Sequence, residues 1–356
     1  MKWVVGQARL LVPICSTLKK GSAGMPRIGA NPYRGKTTDY RPARVTVAVL
    51  TCVPEFTGYF QYRLEVVQLC IESILANTTA PFDLLIFDNG SCPEFVDYLE
   101  VLHDAGKVDY LILSQRNIGK VNALREIFQF APGELVAYTD DDNFFLPGWL
   151  EAHLQIVDTF PNVGMVTGFY VRHRAADAVT SSLAFASRPD VTVEQGDFVL
   201  PEWRDEFISN TNRTQESYAK ESQGLSDTII SYQGTASFVS AHHFQFVAPR
   251  HIILEVLPEW SEQLMGQMVE MDRAVDGLGY LRLTTRERTL HLMSNLASGE
   301  IRKMAAEMNI VVTRADARRL SPVAGKLFGN RLLKPLIKRI HNWTFQLLTR
   351  SHQHKI

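Results

Sequence analysis

The sequence is short of cysteine, of long apolar runs and of glycine-rich phosphate loops, and each shortage closes a class of function. Four cysteines in 356 residues (Cys15, Cys52, Cys70 and Cys92) show no C-x-x-C spacing and are too sparse for a disulfide scaffold, so reduced thiols in a cytosol are expected. No stretch reaches the roughly 18–20 consecutive apolar residues of a membrane-spanning helix. Val4–Cys15 comes nearest and is interrupted by Gln7, Arg9 and Pro13. A signal peptide is not expected there either, because Lys19 and Lys20 replace a small-residue cleavage site. The N-x-T sequons at Asn77, Asn212 and Asn342 then read as chance. Thr51-Cys-Val-Pro-Glu-Phe, after the first apolar strand, has none of the glycines that cradle a triphosphate.

Acid is nearly absent from both ends. The formal net charge is −1, but residues 1–44 carry nine basic residues against Asp39 alone, and residues 317–356 carry nine against none. The body between them has a net charge of −18. An acidic body is not expected to wrap nucleic acid. At 46% hydrophobic and 21% charged, the chain has enough apolar material for a sizeable core.

Residues 21–44, rich in Gly, Pro and Arg, read as an extended basic arm. From Arg44 short apolar runs alternate with amphipathic segments. Strands are expected at Val45–Thr51, Leu84–Phe87, Tyr110–Leu113, Leu135–Thr139 and Val163–Tyr170. Helices are expected at Arg63–Asn77, Glu94–His103, from Gly119 through Phe130, and after Pro147. This alternation predicts an α/β fold with a mostly parallel sheet flanked by helices. Residues 172–232 are polar and poorly patterned, which suggests disorder or a substrate-shaping lid. Apolar character returns at Gly234–Val239, a helix is expected over Glu262–Leu278, and a strand over Thr284–Leu290 leads to His291.

In a parallel sheet the ligand crevice lies beyond the carboxyl ends of the strands. Thr51, Asp88 and Asp140–Asp142 all stand at such ends. Three adjacent carboxylates repel one another in a low-dielectric crevice, and a divalent cation removes that cost. Mg²⁺ or Mn²⁺ suits the site, since both accept carboxylates together with phosphate oxygens. On an extended segment Asp140 and Asp142 share one face about 7 Å apart, so one can hold a metal while the other reaches a ribose hydroxyl. The plain alternative is a solvated acidic turn.

Four motifs occur in order: Val45–Thr51; Phe82-Asp-Leu-Leu-Ile-Phe-Asp88-Asn-Gly-Ser91; Arg116-Asn117-Ile118-Gly119-Lys120-Val-Asn122-Ala123; and Ala137-Tyr-Thr-Asp140-Asp-Asp142-Asn-Phe-Phe-Leu-Pro147-Gly-Trp-Leu150. Together they resemble a family 2 glycosyltransferase of the GT-A (Rossmann-like) fold over residues 45–170, with Gly279–His291 similar to the family's end-of-domain segment. The resemblance implies a nucleotide-sugar donor. Thr51 and Asp88 would face base and ribose, Asp140 would bind ribose, and Asp141 joins them in the nucleotide-sugar-binding set. Asp142 would bind Mg²⁺ or Mn²⁺ against the diphosphate. Lys120, following Gly119 at a helix start, would bring positive charge near phosphate or stand as a solvated lysine. His291 matches a histidine that contacts metal or diphosphate in such enzymes, the alternative being a structural histidine.

The sequence departs from the family at the general base. Inverting members carry an acidic pair about eleven residues before the glycine that here is Gly279, and Gln267 and Met268 stand there instead. Acids follow at Glu270, Asp272 and Asp276. Glu270 and Asp272 point about 200° apart on a helix, so only one faces the crevice. Asp272 is preferred to Glu270 as catalytic acid or base, with Glu262 a further alternative.

The expected architecture is therefore a basic arm (1–44), a glycosyltransferase domain (45–314) with a nucleotide-sugar-binding half (45–170) and an acceptor half (171–314), and a basic amphipathic helical tail (315–356). The expected activity is transfer of a sugar from a nucleotide diphosphate sugar to a hydroxyl of a glycan or lipid-linked acceptor, as in surface polysaccharide synthesis. A nucleotidyltransferase and a catalytically silent sugar-nucleotide-binding or membrane scaffold protein are the alternatives. The tail sets Leu332, Leu336, Ile340 and Trp343 among Lys334, Lys338 and Arg339, which suits the interface of an anionic leaflet. Cytoplasmic residence with peripheral contact at the inner membrane face is expected. Sedimentation with anionic vesicles should then pellet the full chain and leave a chain ending at Asp316 in the supernatant; equal recovery in the supernatant removes the membrane contact.

Overall fold

The computed structural model describes residues 29, 31–172, 178–211 and 213–312. The chain divides into two compact units, Met1–Arg41 and Pro42–Ile356. In the first, a turn at residues 32–35 is closed by Arg34 N–H donating to the Asn31 carbonyl at 3.0 Å. The tail expected over 315–356 lies outside the described residues.

Four strands open the second unit: β1 (Val45–Thr51), β2 (Phe82–Asn89), β3 (Tyr110–Ser114) and β4 (Leu135–Asp140). Helices α1 (Arg63–Asn77), α2 (Pro93–Asp104) and α3 (Lys120–Phe130) connect them. β1 pairs in parallel with β2 on one side and β4 on the other, and β2 pairs in parallel with β3. Every residue of β1 is buried, because both faces of the sheet are covered. Val47 and Val49 face the core that includes Ile71 and Ile74 of α1, while Ala48 and Leu50 face the core that includes Leu124 and Ile127 of α3.

The chain continues through β5 (Asn143–Phe145), α4 (Trp149–Thr159), β6 (Val163–Thr167), α5 (Thr180–Ala186), β7 (Thr192–Gly196), α6 (Pro201–Asn210), α7 (Gln215–Ser222) and β8 (Asp227–Tyr232). It ends with β9 (Thr235–Val239), β10 (Gln245–Pro249), α8 (Arg250–Val256), α9 (Met268–Gly277), β11 (Leu281–Thr285), β12 (Leu290–Leu292) and α10 (Gly299–Glu307). The main sheet has the order β3-β2-β1-β4-β10-β6-β11-β9-β8-β7. β10 is antiparallel to β4 and β6, β11 is parallel to β6, and β9, β8 and β7 form an antiparallel meander.

The expected α/β fold with parallel pairing among β1–β4 is found, and several details differ. Residues 172–232 are not one featureless insert: α5, α6, α7, β7 and β8 occupy much of it, and β7 and β8 extend the sheet. The helix expected over Glu262–Leu278 begins only at Met268, because Gly266 adopts φ +64, outside the helical region. The segment before it, residues 258–267, forms a strap over the start of α3. The strand expected over Thr284–Leu290 divides into β11 and β12. β12 leaves the main sheet and pairs with β5 in a separate two-stranded ribbon.

His153 of α4 is fully buried: its Nδ1–H donates to the Trp149 carbonyl at 2.6 Å, and its Nε2 lies 3.2 Å from the Gln245 amide nitrogen of β10. Burial lowers its pKa from 6.5 to about 4. The unfolded chain binds a proton in this window that the native state refuses, so stability rises with pH there. The contribution is fully present above pH 6.5 and is lost as pH falls toward 4, about 3 kcal/mol in all. Urea unfolding at pH 7 and pH 5 should show a smaller pH difference in His153→Gln than in the parent; identical differences would remove His153 from the acid response.

Candidate active site

The carboxyl ends of β1, β2 and β4 form one edge of the sheet, and strand register decides what meets there. Thr51 lies opposite Asp88, and Leu50 lies opposite Asp140, so Asp88 and Asp140 flank β1 from its two sides. Thr51 Oγ1 donates to Asp88 Oδ1 at 3.0 Å, and Ser91 N–H donates to Asp88 Oδ2 at 3.0 Å. Asp88 is only 1% exposed, and these two bonds fix the turn leading into α2.

β4 ends at Asp140, and Asp141 and Asp142 form a turn, so the shared strand face expected for Asp140 and Asp142 is not found. Asp140 points toward α3: Lys120 Nζ donates to its Oδ2 at 2.7 Å, and Tyr138 OH donates to its Oδ1 at 2.6 Å. Asp141 turns to the opposite face and meets Arg63 at the start of α1. The same guanidinium donates to Asp142 Oδ2 at 3.3 Å and to the Ser294 carbonyl at 2.8 Å. Burial pushes the Asp141 carboxyl up to about 7 against the pull of Arg63, with Asp142 and Asp140 adding to the rise. Burial likewise raises Asp142, opposed by Arg63. Cys52 also senses the cluster: burial, then the charges of Asp141 and Asp88, push its thiol up to about 11.

Asp142 and His291 are joined through the ribbon. Met293 N–H donates to the Asp142 carbonyl at 2.8 Å, and His291 pairs with Phe144, which places His291 diagonal to Asp142. Glu206 of α6 holds His291: His291 Nδ1–H donates to Glu206 Oε2 at 2.9 Å, and Leu292 N–H donates to Oε1 at 2.6 Å. Arg288 pairs with the same carboxylate. Burial opposes ionisation of Glu206, but the His291 hydrogen bond and the Arg288 charge bring its carboxyl below the usual range.

Gly119 and Lys120 sit under the strap. Gly119 has φ +86 and a side chain there would press on the Gln263 carbonyl at 3.0 Å. Lys120 N–H donates to the Leu264 carbonyl at 2.7 Å, so the first amide of α3 is engaged within the chain. Asn122 clamps the strap in both directions, donating to the Ser261 carbonyl and accepting from Ser261 N–H, each at 2.7 Å.

The acids of α9 separate as the helical angle requires. Glu270 lines a groove of about 500 Å³ beneath the strap. Asp272 faces inward, where His243 Nδ1–H donates to its Oδ2 at 2.7 Å and Arg282 lies 2.9 Å from its Oδ1. Asp276 accepts Thr180 N–H and Ser181 N–H at the start of α5.

Sequence patterning brought Thr51, Asp88, Asp140, Asp142 and His291 into consideration and missed Arg63, Tyr138, Glu206 and His243. One signal for Arg63 was legible: a cation in the first turn opposes the helix dipole and needs another reason to be there. Glu206 and His243 carry no local sequence signal.

Residues 60–216 match the description Glycosyl transferase family 2. A glucosyl-dolichyl phosphate glucuronosyltransferase of Haloferax volcanii is 31% identical over 118 residues, 33% of this chain and 34% of that protein. An uncharacterised glycosyltransferase of Nostoc is 29% identical over 96 residues, 27% of this chain and 30% of that protein. The matches thus span about a third of each curated relative. A solved mannosyltransferase of Pyrobaculum calidifontis, in complex with GDP-Man and Mn²⁺, aligns with TM-score 0.41 at 14% identity over 71% of this chain and 59% of its own. The family 2 resemblance expected from the motifs at residues 45–170 is borne out by the match.

Arg63 is the cation on which the buried acids depend. Removing one partner of a buried ion pair leaves an uncompensated charge and costs about 3–5 kcal/mol. Arg63→Ala should lose stability of that order in urea unfolding, and Arg63→Met combined with Asp141→Asn should recover part of it. Parental stability in Arg63→Ala would show that Asp141 needs no counter-charge.

Proposed function

We propose that the chain is a metal-dependent glycosyltransferase that moves a sugar from a nucleotide diphosphate sugar to an acceptor hydroxyl. The reading is carried by one observation: within a family 2 domain, Asp88 and the Asp140–Asp142 triplet arrive at the same strand-end edge on both sides of β1. The assignment of Thr51 and Asp88 to base and ribose, and of Asp140 and Asp141 to the donor, rests on the family resemblance.

The donor set fits a hard divalent cation. Asp142 has a carboxylate oxygen and His291 has Nε2 without a hydrogen bond among the described residues, and the ribbon places the two residues diagonally. Among the described residues no group of three or more His, Cys, Asp or Glu side chains is placed to hold a metal, which suits an ion completed by diphosphate oxygens. Asp142 and His291 would hold Mg²⁺ or Mn²⁺, which supplies charge neutralisation on the departing nucleoside diphosphate. Glu206 fixes the His291 tautomer with the proton on Nδ1, keeping Nε2 available. Lys120 brings a second positive charge to the edge and restrains Asp140. Arg63 steadies Asp141 and Asp142 against mutual repulsion.

The acceptor belongs to the half beyond residue 170, and a glycan or lipid-linked hydroxyl is the proposed class. Among the described residues no helix is long and apolar enough to cross a membrane. A sugar-nucleotide-binding protein without turnover is the second reading, favoured by Gln267 and Met268 where inverting members carry acids.

Thermal denaturation with UDP-, GDP- and dTDP-sugars, with and without Mn²⁺, selects the donor, since a ligand at 100 times its Kd adds about 2.7 kcal/mol to native stability. Asp142→Ala should lose the Mn²⁺-dependent part of the shift and at least about 100-fold in turnover. Wild-type turnover in that variant would overturn the assignment of Asp142, and binding without turnover across all donors would favour the silent binder.

A further inference from the structure

The transferase reading lacks a group to take the acceptor proton, and Asp272 is poorly placed to do so itself. It is 7% exposed, with one carboxylate oxygen engaged by His243 and the other by Arg282. Arg282 is itself buried and donates to the Ala178 carbonyl at 2.7 Å, so that pair is anchored in the interior. The partner of Asp272 that reaches solvent is His243, whose side chain is 28% exposed.

His243 lies where the sheet turns toward the donor edge. Asp140 N–H donates to the Phe244 carbonyl at 2.9 Å, and Gln245 pairs with Thr139. The residue before Phe244 therefore stands next to the acidic triplet, on the side of the acceptor half. Its neighbour His242 has another duty, with its ring stacked on Phe244 at 5.0 Å. The connection is held firmly. Ser240 adopts φ +118, a region disfavoured for a side-chain-bearing residue. Its N–H donates to the Arg282 carbonyl at 2.8 Å, and its carbonyl accepts from Thr284 Oγ1 at 2.6 Å.

We propose that His243 is the general base for the acceptor hydroxyl and that Asp272 is its positioning residue. The proposal rests on the transferase reading above. A carboxylate only accepts hydrogen bonds, so Asp272 fixes the His243 proton on Nδ1 and leaves the Nε2 lone pair free to accept one. In the reaction the acceptor oxygen bonds to the anomeric carbon, and the bond from that carbon to the diphosphate oxygen breaks with its electron pair. The acceptor proton passes to His243 Nε2. The products are the glycoside, the nucleoside diphosphate and an imidazolium that returns its proton to water. This explains how residues 267 and 268 can be non-acidic in an active enzyme: the base comes from the segment before β10, and α9 supplies its orienting carboxylate.

Two measurements on the full chain test the proposal. Imidazole ¹⁵N spectra at pH 8, assigned with His243→Gln, should show neutral His243 protonated at Nδ1, and Asp272→Asn should shift that tautomer balance. A proton on Nε2 in the parent would overturn the proposal whether or not a donor is found. In the second, release of nucleoside diphosphate from UDP-glucose, GDP-mannose and dTDP-glucose is followed with Mn²⁺, with water as acceptor. His243→Ala should release it about 100- to 1,000-fold more slowly, with KM for the donor within about twofold. Sodium azide, an anionic nucleophile with no proton to remove, should restore the rate in His243→Ala, a rescue that a merely structural lesion would not show. Unchanged release in His243→Ala, or a loss that azide does not restore, would overturn the proposal. Absence of release by the parent with all three donors would count against the transferase reading, and the imidazole spectrum would then decide whether His243 is poised as a base.

Discussion

Three carboxylates in a row at the end of a buried strand are stable only because cations from two different helices reach them. Arg63, from the start of α1, spans Asp141 and Asp142, and Lys120, from the start of α3, holds Asp140. The two helices cover opposite faces of the sheet, so the triplet is braced from both sides and the strand end cannot rotate without breaking one of the pairs. Desolvation still exceeds the compensation at Asp141, whose proton is held to about pH 7.

Several parts of the chain converge on this edge. The β5–β12 ribbon carries His291 to the triplet, α6 contributes Glu206 to hold His291, and the strap fastens over α3 beside Lys120. Side chains of α1 support the ribbon: Ser73 Oγ accepts from Phe145 N–H at 3.0 Å, and Asn77 donates to the Phe145 carbonyl at 2.8 Å. A three-residue strand with so little ladder of its own would not hold its place otherwise.

The parallel half was legible because its strands are buried on both faces and its helices are amphipathic, so β1 and α1 have the bounds that periodicity gave them. The strand-end aspartates followed from a general rule about parallel sheets, and register places Asp88 and Asp140 on either side of β1. β10 was not legible: Gln245–Pro249 is a short run ending in proline, and nothing local says that it enters antiparallel between β4 and β6. The partners of the site were hidden for the same reason. Glu206 and His291 are 85 positions apart, and His243 and Asp272 are 29 apart, so their meeting is decided by tertiary packing. Apolar spacing predicts one helix over Glu262–Leu278, and Gly266, with φ +64, interrupts it.

The reversed polarity of β10 has a consequence for how the two halves can diverge. Because it runs against β4, its leading end is brought to the carboxyl end of β4 by only five residues, 240–244, after β9. Those residues have no slack, being bonded to β11 at Ser240 and to β4 at Phe244. Loops elsewhere beyond residue 170 can lengthen or shorten without moving this junction. An insertion here would displace the leading end of β10 relative to the carboxyl end of β4.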